Sequence, residues 1–356
     1  MSQGGEQKRP ENRAHHCMTS VCEFLIIYGG YENNTSEECN ELWSYNAITG
    51  VWKWHKVPNE IKDTCISASI CAAENIVYIF GGDCFDDDDY RQTNSLVSFD
   101  FTNATWDLMF THNDDYDQNV PPPMCGNLLF YHNGSLYVLG GFHDSLNLET
   151  MYKFCIKTST WSIVGQNGVK PTFNRQIFGT VYKNQIYCFE DPPNGSNKFR
   201  EIRIFDFSTH TWTSRVTSSK NKLYPDDRIY ESMAFFRKFG IMSGGIMPYS
   251  NIYYSDIWWI DLESLEWFKI EYSLTTGVYD HRMSVVDDYH LYSFGGYHDE
   301  GCLNSLERFP VQPPTLYRLC LEFISQSPIL INHTESLPAA IVDELNLNDK
   351  KSCFNE

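Results

Sequence analysis

Short apolar runs that end in a pair of glycines recur along the chain. They read LIIYGG, VYIFGG, LYVLGG, GIMSGG and LYSFGG, with the pairs at Gly29-Gly30, Gly81-Gly82, Gly140-Gly141, Gly244-Gly245 and Gly295-Gly296. The third interval is about twice the length of the others, as expected when one unit of a repeat has lost its signature. The run IYCFED, ending at Glu190-Asp191, stands where the missing pair belongs. The pattern predicts six units, the fourth of them degenerate.

A large apolar residue followed seven positions later by tryptophan is a second repeated feature. The pairs are Tyr45 and Trp52, Phe99 and Trp106, Phe154 and Trp161, Phe205 and Trp212, and Ile260 and Trp267. Each segment reads as an alternating strand, a polar turn and a strand that opens with tryptophan. Because one small sheet cannot bury both faces, such units stack around a ring. No tryptophan-led segment follows Gly296, so the sixth unit is expected to be incomplete.

The glycine pairs and the spaced aromatic residues resemble the repeats of the kelch family. The fold class that this implies is an all-β, six-bladed kelch β-propeller with a short C-terminal α-helical tail. We expect the propeller over residues 13–311 and helices over 313–347, with disordered segments at 1–12 and 348–356. The resemblance is specific for the fold and says little about function, because one fold serves many functions.

Helical periodicity begins after Pro313-Pro314. In the first predicted helix, one apolar stripe contains Leu316, Leu319, Cys320, Phe323 and Ile324. A second helix is indicated by Ser336 as N-cap and Pro338 in the first turn, with Leu337, Ile341 and Leu345 on one face. The simplest interpretation is that both helices cap the propeller.

Two short motifs in these helices support a different interpretation. Leu316, Cys320 and Ile324 resemble the elongin-binding BC box, and the next helix resembles a cullin-2 box at Leu337, Pro338, Ile341 and Leu345. The arrangement resembles the kelch-domain substrate receptors of cullin-2 ubiquitin ligases. This resemblance implies elongin B, elongin C and cullin-2 as partners, bound by helix-in-groove docking. It also implies a protein or peptide substrate, held by its C-terminus at one face of the propeller.

A pocket for a terminal carboxylate needs cationic donors and aromatic walls. Candidates in the segments that precede the apolar strands are Arg13, Arg175, Arg228, His281 and Arg282. We expect them to ring one face of the channel. The alternative is that each arginine binds loop carbonyls or a neighbouring carboxylate such as Asp226 or Asp280. No arginine adjoins a glycine pair, where related receptors place their contact residues, so those contacts do not carry over.

The charge balance argues against two classes of partner. The formal net charge is −19, from 46 acidic and 27 basic residues, and it repels nucleic acid and anionic membrane surfaces. The twelve cysteines form no CxxC pair, so we predict free thiols, no metal and a cytoplasmic or nuclear location. The N-terminal residues contain no apolar signal region, and no apolar run is long enough for a membrane span.

Catalysis is the least favoured class of function, and we predict a non-catalytic chain without a cofactor. His15, His16, His143 and His281 could meet near the propeller axis, but their spacing defines no ligand set. The acidic run Asp86–Asp89 reads as a solvated loop, the alternative being a site for a metal or a basic substrate. A kelch scaffold for a cytoskeletal or signalling protein remains the alternative to the ligase receptor.

Overall fold

The computed structural model describes residues 8–32, 37–64, 66–86, 89–115, 117–144, 146–172, 176–189, 198–299, 301–327, 330 and 337–345. Within them the chain forms six blades around a central channel, which confirms the predicted propeller. Of the segments expected to be disordered, only residues 8–12 fall in the described part of the chain. The degenerate pair Glu190-Asp191 also lies outside it.

Blades 1 to 3 are four-stranded antiparallel sheets with sequential strands as neighbours. Blade 1 consists of β1 (Cys17–Val21), β2 (Phe24–Tyr28), β3 (Leu42–Asn46) and β4 (Val51–His55). Blade 2 consists of β5 (Ser69–Ala73), β6 (Ile76–Phe80), β7 (Leu96–Asp100) and β8 (Thr105–Phe110). Blade 3 consists of β9 (Leu128–His132), β10 (Ser135–Leu139), β11 (Met151–Cys155) and β12 (Thr160–Ile163).

Blades 4 and 5 each add a two-residue strand parallel to the outermost strand. Blade 4 consists of β13 (Phe178–Tyr182), β14 (Gln185–Phe189), β15 (Glu201–Asp206) and β16 (Thr211–Val216), with Asn167–Gly168 added. Blade 5 consists of β17 (Ser232–Phe236), β18 (Phe239–Ser243), β19 (Asp256–Asp261) and β20 (Glu266–Ser273), with Ser218–Ser219 added. Blade 6 is a three-stranded sheet of β21 (Arg282–Val286), β22 (His290–Phe294) and β23 (Leu306–Pro310).

The two ends of the channel are built from different segments. In every blade the start of the first strand pairs with the end of the second, as Cys17 pairs with Tyr28 in blade 1. The segments before the first strands therefore meet the glycine pairs at one end, which we call the glycine face. The turns between the first and second strands, and between the third and fourth, form the opposite end, which we call the turn face.

Short hairpins follow four of the glycine pairs on the glycine face. They pair Tyr31–Glu32 with Glu37–Glu38, Asp83–Asp86 with Asp89–Gln92, Phe142–His143 with Leu146–Asn147, and Tyr297–His298 with Gly301–Cys302. Two 3₁₀ segments, Asn59–Thr64 and Lys220–Lys222, lie in connections between blades.

The glycine pairs allow adjacent blades to approach each other closely. Gly295 has φ of 68°, and a Cβ there would lie 2.6 Å from the carbonyl oxygen of Arg13. The amide of Gly296 donates a hydrogen bond of 2.9 Å to that same oxygen. Only glycine combines this backbone conformation with this contact, so the pair after β22 joins blade 6 to blade 1 and closes the ring.

The spaced aromatic residues fill the wedges between blades, as the sequence predicts. Trp161 of blade 3 lies 5.0 Å from Phe154 of its own blade and 5.6 Å from Phe80 of blade 2, measured between ring centroids. Trp52 of blade 1 contacts Phe294 of blade 6 in the same way, at 6.1 Å. Edge-to-face and tilted pairs of this kind stabilise a core beyond the area that they bury.

Two helices follow the propeller, α1 (Leu316–Gln326) and α2 (Ala339–Glu344). Thr315 caps α1, since its hydroxyl accepts a 3.2 Å hydrogen bond from the amide of Arg318. The predicted N-cap of α2, Ser336, lies outside the described residues. Neither helix in the described part of the chain is long and apolar enough to cross a membrane.

Candidate functional site

A pocket of about 190 Å³ opens at the mouth of the channel on the glycine face, and we call it the mouth pocket. Its rim takes one residue from every blade, two positions before the first strand: His15, Ser67, Gly126, Gln176, Tyr230 and Asp280. Five of the six, all except Gln176, have positive φ between 51° and 67°. This backbone turn, repeated around the ring, directs the rim residues towards the axis.

Below the mouth pocket, a cavity of about 570 Å³ runs along the first strands of the blades. Arg282, the first residue of β21, lines both spaces. A ligand that enters from the glycine face therefore meets this guanidinium at the junction of pocket and channel.

Arg282 belongs to a triad with Asp280 and His15, in which the arginine and the aspartate are buried and His15 is partly exposed. Its Nη1 donates a 3.0 Å hydrogen bond to Oδ1 of Asp280, and Nδ1 of His15 lies 2.9 Å from Oδ2. Burial alone would raise the pKa of Asp280, but Arg282 and His15 outweigh burial and hold it well below its usual range. Nε of Arg282 is buried without a hydrogen-bond partner among the described residues. The triad thus retains an unused donor at the mouth.

A second buried ion pair lines the pocket. Nζ of Lys198 lies 2.6 Å from Oε1 of Glu231, and both side chains are more than nine-tenths buried. Sequence reasoning missed Lys198, because the sequence just before it carries no repeat signature. The mouth pocket therefore contains two cations, each beside a carboxylate.

An aromatic wall adjoins the pocket on blades 5 and 6. Tyr279 stacks on Tyr253, with centroids 5.6 Å apart and ring planes at 9°, and on Tyr297 at 5.3 Å. Tyr230 lies 6.1 Å from Tyr279, and His298 lies 5.4 Å from Tyr253. Such a wall was expected of a carboxylate pocket, but its residues were not identified. The signal that finds Tyr230 and Tyr279 is their position just before the first strand of each blade.

The structure places the predicted site residues in different environments. Arg13 and Arg228 are buried within blades 1 and 5, where each donates to the first carbonyl of its own glycine pair, Gly29 or Gly244. Neither lines the mouth pocket. Arg175 lies outside the described residues, and of the four described candidates only Arg282 lines the pocket.

His281 stands one position closer to the strand than the rim residues, and it is fully buried. It fills the space left by the missing side chain of Gly244, where a Cβ would lie 2.3 Å from the imidazole. Burial, assisted by the charge of Arg282, lowers the pKa of His281 to about 3. The side chain is therefore a neutral wedge between blades 5 and 6.

The other candidate histidines do not form a metal site. His16 is buried in the equivalent position between blades 6 and 1, near Phe294, and burial lowers its pKa well below the usual value. Nδ1 of His143 lies 2.7 Å from the carbonyl oxygen of Pro123. Among the described residues no group of three metal-binding side chains comes together. The acidic run Asp86–Asp89 is only partly described.

The tail helix α1 attaches to the propeller by its polar face. Arg318 forms ion pairs with Asp287, in a turn of blade 6, and with Glu322. The hydroxyl of Ser325 donates a 2.8 Å hydrogen bond to the carbonyl of Ile48, in a turn of blade 1. Both turns belong to the turn face, so α1 lies at the opposite end of the propeller from the mouth pocket.

The predicted apolar stripe of α1 points mostly away from the protein. Leu316 is 77% exposed, Phe323 is 68% exposed and Leu319 is 47% exposed. Cys320 is an exposed free thiol between them. Only Ile324, the last residue of the stripe, packs against the apolar cluster beneath the helix.

Helix α2 folds back onto α1. Leu345 is fully buried with Leu321 of α1 and Ile48 of blade 1, and Leu337 and Ile341 pack against this cluster. Pro338 is exposed. Of the four positions that resemble a cullin-2 box, three thus contribute to the attachment of the tail and one faces outward.

The fold and the repeat positions define this chain as a kelch propeller, a protein-interaction module. It matches the KLHDC2/KLHL20/DRC7 Kelch-repeats domain over residues 2–116 and 67–296, and it belongs to that family. The resemblance read from the glycine pairs and the tryptophans is therefore confirmed. The family description names repeats and no reaction.

Three known proteins are similar to this chain in sequence over more than half of its length. Kelch domain-containing protein 1 of Mus musculus is 23% identical over 363 residues, which cover 92% of this chain and 87% of the relative. Kelch domain-containing protein 10 of Rattus norvegicus is 22% identical over 362 residues, which cover 96% of this chain and 86% of the relative. Leucine-zipper-like transcriptional regulator 1 homolog of Drosophila melanogaster is 25% identical over 210 residues, which cover 57% of this chain and 21% of the relative.

Proposed function

We propose that this chain is the substrate-recognition adaptor of a cullin-2-RING ubiquitin ligase. In this proposal the mouth pocket binds a degron at the C-terminus of a substrate protein, and the tail helices recruit elongin B, elongin C and cullin-2. The chain itself is not an enzyme and needs no cofactor, because other subunits transfer ubiquitin. We place it in the cytoplasm or nucleus, where thiols stay reduced, in keeping with free cysteines throughout the described residues.

The observation that carries this proposal is the apolar stripe that α1 leaves exposed while it buries charged side chains. A surface helix normally buries its apolar face against the protein, whereas α1 exposes Leu316 and Phe323 and buries Arg318 and Glu322. Burying each exposed apolar side chain in a partner groove would contribute about 1.5–3 kcal/mol. The exposed thiol of Cys320 is small enough to let a partner helix approach closely. This is the geometry that helix-in-groove docking requires.

The relative position of the two sites also supports an adaptor. The mouth pocket opens at the glycine face, and α1 is attached to Asp287 and Ile48 at the turn face. A substrate at one end and ligase subunits at the other would not compete for the same surface.

The test is capture of purified elongin B and elongin C by the full-length chain. Leu316→Ser should abolish capture, because it places a hydroxyl in the docking groove. The matched control is Leu223→Ser. Leu223 lies outside the tail and is 62% exposed, so this variant should capture elongin as the wild type does. Failure of the wild-type chain to capture elongin, or equal capture by Leu316→Ser, would contradict the proposal.

A kelch scaffold without a ligase role is the second candidate, and the burial of Leu345 favours it. A helix that packs this well against Leu321 and Ile48 can serve as a simple cap for the propeller. Amide hydrogen exchange on the isolated chain distinguishes the two hypotheses, because the amides of a cap should be as well protected from exchange as those of the blades. A helix that awaits a partner should open at lower free energy.

A further inference from the structure

One loop on the glycine face differs in charge from its counterparts in the other five blades. The residues that follow β18, Ile246 to Tyr254, include no acidic side chain. The corresponding sequences in the other blades are acidic and contain Glu32, Asp83, Asp144, Asp191 and Asp299. We call residues 246–253 the blade 5 hairpin, since Ile246 and Tyr253 form an antiparallel bridge.

The tip of the blade 5 hairpin presents large apolar side chains to solvent. Tyr249 is fully exposed, Ile252 is 52% exposed and Met247 is 37% exposed. Elsewhere a single exposed apolar residue needs no explanation. Here three of them occur within six consecutive residues of one turn, beside a pocket.

The backbone of this turn is held in a conformation that a tyrosine disfavours. Tyr249 has φ of 59°, a region where a bulky residue is an outlier and where glycine or asparagine is preferred. The amide and the hydroxyl of Ser250 donate to the carbonyl of Met247, at 3.2 Å and 3.0 Å, and the hydroxyl accepts from Ile252 at 3.2 Å. Because the Tyr249 ring is exposed, packing within this chain does not offset its backbone strain.

The hairpin is continuous with the aromatic wall and through it with the mouth pocket. Tyr253 closes the hairpin and stacks on Tyr279. Tyr279 directly precedes Asp280 on the pocket rim. A chain that leaves the mouth pocket over blade 5 therefore runs along tyrosines towards Tyr249.

We propose that the blade 5 hairpin is a second substrate contact, which binds an apolar side chain upstream of the carboxyl terminus seated in the mouth pocket. This inference rests on the proposed substrate-binding function and names the substrate class: C-terminal segments with an upstream leucine, methionine or aromatic residue. The acidic loops of blades 1, 2, 3 and 6 repel acidic side chains, so the remaining residues of such a segment should be neutral or basic.

The experiment is a binding screen of short random peptides with free C-termini against the purified full-length chain. The key variant is Tyr249→Asn, because asparagine accepts positive φ and removes only the ring. Its matched control is Tyr272→Asn, which removes a half-exposed ring from the outermost strand of blade 5. Thermal unfolding of each variant verifies that the fold is retained.

The wild type should enrich peptides with an upstream apolar residue. Tyr249→Asn should weaken the binding of these peptides about tenfold, as expected when one aromatic anchor is lost. The binding of their serine-substituted versions should be unchanged. Tyr272→Asn should change neither set. The inference is overturned if the wild type enriches no apolar position, or if Tyr249→Asn weakens both sets equally or neither.

The outcomes separate this inference from the function on which it rests. If amidated and free peptides bind equally while the apolar preference depends on Tyr249, the terminal-carboxylate site fails and the hairpin contact stands. If binding needs a free carboxylate but shows no apolar preference, only the hairpin contact fails. Absence of any binding peptide overturns both.

Discussion

The guanidinium of Arg228 lies 2.6 Å from the carboxylate of Asp256, and the pair is enclosed within blade 5. The same nitrogen donates to the carbonyl of Gly244 at 3.1 Å, and the ring of Tyr254 lies 3.8 Å from the guanidinium carbon. Arg13 repeats this arrangement in blade 1, with Gly29 and Glu41 as its partners. Both arginines thus tie a glycine pair to the third strand of its blade.

We predict that Arg228→Ala destabilises the propeller. Removing Arg228 leaves the carboxylate of Asp256 with Lys269, at 3.2 Å, as a remaining cationic partner, so the cost should approach but not exceed the value of about 3–5 kcal/mol for breaking a fully buried pair. Arg237→Ala is the control, because Arg237 and Asp288 form an exposed pair at 2.9 Å, and such pairs contribute at most about 1 kcal/mol. Urea unfolding measures both. Equal effects of the two variants would show that Arg228 has no special structural role.

The loss of stability at acid pH should also depend on the pair of Arg228 and Asp256. Burial would raise the pKa of Asp256, but Arg228 outweighs burial and lowers it. A lowered folded pKa means that the stabilisation is present above the ordinary aspartate pKa and is lost as the pH falls through the folded value. Arg228→Lys, which keeps the charge but loses the bidentate geometry, should retain part of this acid dependence, and Arg228→Ala should retain least.

Arg282 is the arginine that we expect to bind substrate. Arg282→Ala should remove the preference of the mouth pocket for free over amidated C-termini, because it deletes the guanidinium whose Nε has no hydrogen-bond partner among the described residues. Arg228→Lys is the control variant and should leave this preference intact, since Arg228 lies outside the pocket. The ratio of the two affinities, measured by calorimetry, is the readout. A preference that survives Arg282→Ala but not Arg228→Lys would contradict the assignment.

The contrast between these arginines shows where sequence reasoning succeeds and where it stops. The propeller was predictable, because glycine pairs and tryptophans at fixed positions follow from packing between blades. The site residues were not predictable, because a shift of a few positions along the chain decides whether an arginine is buried within a blade or lines the pocket. Arg13 and Arg228 stand four residues before their first strands, whereas Arg282 is itself the first residue of β21.

Helix periodicity has a comparable limit. The spacing of Leu316, Cys320 and Ile324 predicted an amphipathic helix, and α1 forms where expected. Periodicity alone does not say which face meets the protein. Arg318 favours its own face, because Asp287 in a distant turn provides a partly buried partner for its charge.

Acid should weaken the contact between blades 5 and 6 through His281. Its pKa is lowered to about 3, mainly by burial, while in the unfolded chain it returns to about 6.5. Between these values the unfolded state binds a proton that the folded state does not. Stability is therefore complete above about pH 6.5 and is lost progressively as the pH falls towards 3.

The variant His281→Asn tests this, because Asn127 occupies the equivalent position in blade 3. We expect the variant to lose less stability than the wild type between neutral pH and the onset of acid unfolding, in urea titrations at several pH values. The control is His210→Asn in an exposed turn with φ of 53°, which should follow the wild type. If His281→Asn shows the full acid dependence, other groups cause it.

Under the proposed adaptor function, the four tail positions that resemble a cullin-2 box should divide into structural and partner-binding residues. Leu345 is fully buried against Leu321 and Ile48, so Leu345→Ala should cost about 2–5 kcal/mol of local stability and raise hydrogen exchange in α2. Pro338 is exposed, so Pro338→Ala should leave exchange in the isolated chain close to that of the wild type. If the proposed adaptor function is correct, Pro338→Ala should nevertheless weaken capture of cullin-2 in the presence of elongin B and elongin C. Unchanged capture by Pro338→Ala, together with lost capture by Leu345→Ala, would mean that the second motif acts only by holding α1 in place.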